Sequence, residues 1–250
     1  MLEIQKEIKK FQPITLNEMD EVALMTRVDK KYTTSNNCIV DIFNKINQHY
    51  DILEINGRRA FSYKTEYFDT ANNILFKNHQ NGKLNRYKIR FRDYLETKKS
   101  FLEIKFKSNK GITRKTRIDI PFQERIINSN SKKFIESQSP YLVKNLQIKV
   151  INHFERITLI NILNKERVTI DFNLNFKSDI LRTKSRISNL VIIEIKKEKG
   201  NKKSPLSSIL KEKKIRPTSF SKFALGSCLL DKEIKYNSFK KKLLMINKMG

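Results

Sequence analysis

The 250-residue sequence is short of the residues that loosen a chain. Its 6 glycines and 5 prolines leave little room for long flexible linkers. It has 2 cysteines, Cys38 and Cys228, far apart and without a CxxC or CxxH companion. They read as reduced residues, not as a disulfide framework or a zinc site. No stretch approaches the roughly 18 uninterrupted apolar residues of a membrane-spanning helix. The opening MLEIQKEIKKF lacks the apolar run of a secretory signal, so a cytoplasmic location is the expectation. Histidine is sparse as well. His49 and His153 have no partners at metal-ligand spacing, and His79, close to Asn81-Gly82, reads as a solvated turn residue. Acidic residues number 26 against 52 basic ones.

What remains is apolar and cationic. A hydrophobic content of 38% with 16 phenylalanines supports a real core and excludes a disordered chain. The net charge of +26 calls for an anionic partner: nucleic acid, phosphate compounds or an acidic membrane. A competing account is a lysine-rich background that scatters cations over the surface without purpose. Placement decides between them, and that of arginine, the minority cation, counts most.

Hydrophobic periodicity predicts helices over most of residues 1–25, with Thr15 as an N-cap, and over the segment carrying Ile39, Ile42, Phe43 and Ile46 behind a Ser35 or Asn36 cap. Asn56-Gly57 predicts a hairpin between strands at 51–55 and 60–70. Residues 74–77 read as a short helix or strand, and 121–152 as short helices. Further strands are expected at 27–33, 86–92, 101–107, 112–120, 153–163, 167–176 and 190–196. Helices at 205–210 and 220–230 close the chain before a basic, loosely ordered tail. Strands in mostly hairpin order with helices between them predict an antiparallel α+β fold, one domain over 1–235 with a tail at 236–250.

The pair 86–92 (RYKIRFR) and 101–107 (FLEIKFK) is central. Alternation puts Lys88, Arg90 and Arg92 on one face of the first strand, and Glu103 and Lys105 on one face of the second. The same alternation collects Arg27, Asp29 and Lys31; Lys64 and Glu66; Lys115 and Arg117; Arg156; Arg167; and Glu194 with Lys196. Eight of the fourteen arginines fall in strand-like runs. An open sheet with a solvated polar face would mix in Thr, Ser and Gln. A barrel with its charged face inward accounts better for the bias, and such a lumen needs a polyanion to fill it. Phosphate suits arginine's bidentate fork and lysine's compact charge. The few carboxylates suit a divalent metal.

These residues carry a resemblance. Arg27-x-Asp29-x-Lys31-Tyr32, Tyr67-Phe68-Asp69-Thr70, the run from His79 and Gly82 through Arg86, Lys88, Arg90 and Arg92 to Tyr94, Phe101-Leu102-Glu103-Ile104-Lys105, Lys115-x-Arg117, Arg156, Arg167 to Asp171, Ile193-Glu194-Ile195-Lys196 and Ser219 to Gly226 lie in family order. Together they resemble a VTC-type polyphosphate polymerase domain of the CYTH/triphosphate tunnel superfamily. The resemblance implies an antiparallel β-tunnel with helices at its ends and outside. It implies transfer of the ATP γ-phosphoryl group to polyphosphate, with Mn²⁺ or Mg²⁺ as cofactor. It implies catalytic roles for Lys31, Arg90, Arg92, Lys105, Arg156, Arg167 and Lys196. Arg27, Lys88, Lys115, Arg117, Ser221 and Lys222 would bind phosphates, and Glu194 and Glu103 would be metal ligands, Glu103 alternatively an orienter of Lys105. The expected partners are ATP and polyphosphate, with no membrane span and no nucleic acid, because aromatics mostly sit opposite the cations. The superfamily's ExExK motif is replaced here by Arg27-x-Asp29-x-Lys31, which favours the polymerase branch. Serine stands at 219, where the polymerase pattern often has lysine. A triphosphate or polyphosphate hydrolase of the same fold, or a non-catalytic polyphosphate- or nucleic-acid-binding module, are the alternatives.

Overall fold

The structure, a computed structural model, describes residues 2–21, 27–198, 200 and 204–248, the side chains of residues 20, 21 and 27 apart. Among these, eleven strands form one sheet. They are β1 (Gln12–Ile14), β2 (Arg27–Ser35), β3 (Asp51–Leu53), β4 (Phe61–Asp69), β5 (Arg86–Tyr94), β6 (Lys99–Lys107), β7 (Thr113–Ile120), β8 (Gln147–Asn161), β9 (Glu166–Ser178), β10 (Thr183–Ile187) and β11 (Leu190–Glu198). The helices are α1 (Leu2–Glu7), α2 (Leu16–Glu21), α3 (Asn36–Ile46), α4 (Ile74–Gln80), α5 (Ser129–Gln138), α6 (Pro205–Glu212), α7 (Lys222–Leu230) and α8 (Lys240–Asn247).

Along the path β2-β11-β9-β8-β4-β5-β6-β7 every pair is antiparallel, and off it β1 runs parallel to β3, which bears out the α+β expectation. Full hydrogen-bonded closure does not occur among the described residues, because β2 and β7 are the two ends of the path. The sheet curls instead. Charges on β2 and β11 act on β5 and β6, Lys31 on Lys88 and Glu194 on Lys105. A strap at 216–221 links the two sides. Thr218 N–H donates to the Lys31 carbonyl on the β2 edge at 2.7 Å, and Ser221 Oγ accepts from Lys88 Nζ on β5 at 3.0 Å.

Over β2, β9 and β11 the outer face is apolar and covered by α3. α3 turns Ile39, Ile42, Phe43 and Ile46 against Tyr32, Val168 and Ile193, all buried. Each such side chain contributes about 1.5–3 kcal/mol on burial. Ser35 caps α3, its hydroxyl accepting from Cys38 N–H. On the inner face, α7 packs one end. Phe223 lies 5.3 Å from Tyr67, and Gly226 faces Val150 and Phe176. Ile14, Met19, Leu53, Phe61 and Ile160 form an apolar cluster at the other end. No helix among the described residues is long and apolar enough to cross a membrane.

Several local expectations change. The first segment is α1, a 3-10 turn, β1 and α2, with Thr15 and Glu18 forming a capping box at α2; Val22 to Met25 lie outside the described residues. Asn56-Gly57 does make a tight turn, with both φ positive and Ile55 and Arg58 exchanging hydrogen bonds. Its flanks do not pair as a hairpin, because β3 and β4 both pair with β8. β8 begins at Gln147, inside the stretch expected to be helical. β10 was not foreseen from the sequence. His79 sits in α4, half-buried and stacked on Phe239. The C-terminal segment is not loose either, since α8 buries Ile246 in the main core.

Candidate functional site: a cationic lumen

Residues directly opposite in an antiparallel pair share a face, so the register assigns the lumen. Arg90, Glu103 and Arg117 form one rung across β5, β6 and β7, and Lys88, Lys105 and Lys115 the next. Arg167, Lys196 and Asp29 form a rung across β9, β11 and β2, and Thr169, Glu194 and Lys31 its neighbour. Arg156 lies opposite Asp171. Arg27 falls on this face by its backbone register with Glu198. Ser221 and Lys222 arrive from the start of α7 and reach it through Lys88 and Asp171. All fifteen expected residues therefore converge on one face. It is not a solvated face, since Arg90 is 6%, Arg92 9% and Glu103 0% exposed.

Three carboxylates are each clamped by two cations. Glu194 takes Lys31 at 2.5 Å and Lys196 at 2.8 Å. Glu103 takes Arg90 through Nε at 2.8 Å and Nη2 at 2.5 Å, and also Lys115. Asp171 takes Arg156 bidentately at 2.6 and 2.8 Å, and also Lys222. Burial alone would raise these carboxyls. Lys196 and Lys31 outweigh it at Glu194, Arg90, Arg92 and Lys115 at Glu103, and Arg156 and Lys222 at Asp171, so all three stay well below the usual carboxylate range.

The lysines move the opposite way. The Arg90 charge, with burial and Arg92, brings Lys105 down to about 6. Burial, with Arg90 and Arg86, brings Lys88 down to about 7. Burial outweighs Asp171 at Lys222 and brings it to about 8. At Lys105 the neighbouring arginine charge is the larger cause, whereas at Lys88 and Lys222 burial is.

Some assignments change. Glu66 pairs across with Phe91, which puts Lys64 and Glu66 on the outer face. There Arg125 bridges Glu66 and Asp93 from outside the sheet, 5.0 Å over the Phe91 ring. The inward residues of β4 are Tyr63, Thr65 and Tyr67. Thr65 Oγ1 accepts from Arg92 at 3.4 Å and the Tyr67 hydroxyl from Arg90 at 3.4 Å. Aromatics therefore also line the cationic face. Arg156 lies 5.2 Å from the Tyr63 ring centroid and Arg117 4.3 Å from that of Phe101. Glu103 contacts Arg90 and Lys115 directly and acts on Lys105 through its charge. Asp171 is a lumen carboxylate that sequence reasoning left without a role; its spacing of four from Arg167 was the available signal. Arg167 Nη2 donates to the Met19 carbonyl at 3.2 Å.

No group of three or more His, Cys, Asp or Glu side chains suited to a metal ion occurs among the described residues. A cage built from protein alone does not fit. A single carboxylate sharing a cation with substrate phosphates and water does fit magnesium-like chemistry, and Glu194, 18% exposed at its side chain, is the carboxylate open to it. A separate open cleft of about 500 Å³ between Ile55–Arg58 and the β5–β6 loop holds none of these residues.

A putative adenylyl cyclase from Hippeastrum, described as having a dominant triphosphatase activity, superposes with a TM-score of 0.51 at 14% identity, over 81% of this chain and 96% of its own. A putative adenylate cyclase from Bacillus halodurans gives 0.47 at 13% identity, over 78% of this chain and 94% of its own. The first likeness shows the tunnel-type fold. No curated protein matches the chain. The model of the VTC domain family matches residues 26–231. With that match over most of its length, the chain belongs to the VTC domain family.

Proposed function

We propose that the protein is a polyphosphate polymerase. A terminal oxygen of the growing chain attacks the ATP γ-phosphorus, the bond from that phosphorus to the β-bridging oxygen breaks, and ADP leaves. The observation that carries this reading is the convergence of buried cations on the inward face, with Arg90 and Arg92 buried beside Lys88 and Lys105 on adjoining rungs. Phosphoryl transfer needs alignment and charge neutralisation more than a nucleophilic side chain. Lys31, Arg90, Arg92, Lys105, Arg156, Arg167 and Lys196 neutralise the reacting phosphates. Arg27, Lys88, Lys115, Arg117, Ser221 and Lys222 hold the remainder of the chain in line. Mn²⁺ or Mg²⁺ held by Glu194 would add charge neutralisation at the transferred group. Glu103 keeps Arg90 and Lys115 in place. Cations this deeply buried suit a thin flexible polyanion and not a duplex.

Purified protein with ATP and Mn²⁺ or Mg²⁺ is expected to form acid-stable polymer resolved on gels. Glu194→Gln should abolish metal-dependent turnover and leave the fold intact; unchanged turnover would remove Glu194 from its role. The likeness to the Hippeastrum protein supports a second reading, hydrolysis with water as acceptor. Orthophosphate release without polymer would favour that reading.

A further inference from the structure

The cation ladder does not stop at Lys88 and Lys105. Its next rung pairs Arg86 on β5 with Lys107 on β6, toward the sheet end where α4 and α8 pack. There α8 is anchored: Ile246 is 2% exposed, Phe239 lies 6.2 Å from Phe76 and 6.0 Å from His79, and Ser238 Oγ donates to the Gln80 carbonyl at 3.1 Å. From α8, Lys242 reaches the strap, its ammonium contacting the Ser219 carbonyl and, at 3.2 Å, Ser219 Oγ. Two residues on, Ser221 holds Lys88. One short strap thus takes a lysine from the lumen and a lysine from the C-terminal helix. Both rest on neutral oxygens. Burial lowers the Lys242 amine. His79 lies among these cations. Burial, Lys88, Arg86, Lys242 and Lys107 push its pKa down to about 3, and its Nδ1 is buried without a partner. The charges that bear most on this imidazole are all positive, the mark of a site arranged for an anion.

We propose that α8 completes a second polyanion subsite at the lumen mouth, where Lys242, Arg86 and Lys107 hold phosphates of a chain longer than a triphosphate. The subsite deepens the polyphosphate reading and rests on it.

Binding of tripolyphosphate and of long-chain polyphosphate to the full chain, without metal or ATP, tests it. Lys242→Gln keeps a donor for Ser219 but removes the charge, and Arg86→Ala/Lys107→Ala removes the rung. Each is expected to weaken long-chain binding about three- to tenfold, with a shallower salt dependence, and to leave tripolyphosphate binding unchanged. Equal losses for both anions would mean that Lys242 only pins the strap, and would overturn the subsite alone. So would no loss for either. A wild-type chain that holds neither anion overturns both the subsite and the lumen reading beneath it.

Discussion

Arg90 and Glu103 set the terms at the scale of single residues. Both are buried, and the carboxylate is shared with Lys115. Removing one member of a buried pair leaves the other desolvated and uncompensated, at a cost of about 3–5 kcal/mol. Glu103→Gln should therefore lower ligand-free stability by about that much in denaturant titration, and saturating polyphosphate should restore much of the loss. A change below about 1 kcal/mol would place Glu103 outside the charge network. The lysines give a second expectation. With Lys105 near 6 and Lys88 near 7, both are mostly neutral at pH 8 in the free lumen. A bound polyanion favours their charged forms, so binding at pH 8 should take up roughly one to two protons. Calorimetry in buffers of different ionisation heat measures this, and Lys105→Met should reduce it. Strand alternation made these residues legible in the sequence, because it fixes which side chains travel together. It does not fix which face turns inward. That is why Lys64 and Glu66 were grouped with the lumen cations although they face out toward Arg125.

Helix α7 shows the same limit at the scale of elements. Its sequence is apolar nearly all round, which signals burial and not the surface it is buried against. The structure sets it on the inner face, with Gly226 close to β8 and β9. A Cβ there would stand 2.5 Å from Val150 Cγ1 and 2.7 Å from Phe176 Cδ1. Gly226→Ala should destabilise by about 1–3 kcal/mol through overpacking despite its better helix propensity, read as a lowered thermal midpoint. The turn at Asn56-Gly57 was equally legible and equally incomplete. Two positive-φ residues specify the reversal, but the strands on either side found their hydrogen bonds on β8. The extra length of β8, the existence of β10 and the docking of α8 all depend on neighbours distant in sequence, which local patterns do not encode.

The whole molecule carries the pH dependence of the lumen. Unfolded lysines titrate near 10.4, whereas folded Lys105, Lys88 and Lys222 titrate near 6, 7 and 8. Between about pH 6 and 10 the unfolded chain binds more protons, so these groups make stability rise with pH across that window. Glu103, Asp171 and Glu194 are depressed in the folded state. Their contribution is present above the ordinary carboxylate range and is lost as pH falls through it. Thermal midpoints of the ligand-free protein should climb from pH 4 toward 10, and long-chain polyphosphate should flatten the upper limb. A flat ligand-free profile would contradict the depressed lysines. The antiparallel α+β class and the shared cationic face were legible because each rests on alternation repeated over many strands. The open seam between β2 and β7 was not, since closure depends on accumulated curl that no single strand encodes. Turning the charged face inward has one more consequence: the interior should work as an ion exchanger. Free orthophosphate must be retained at each cation separately, whereas joined phosphates, once one is seated, present the next at high effective concentration. On immobilised protein, retention should grow with chain length, orthophosphate eluting first and the longest polymers last.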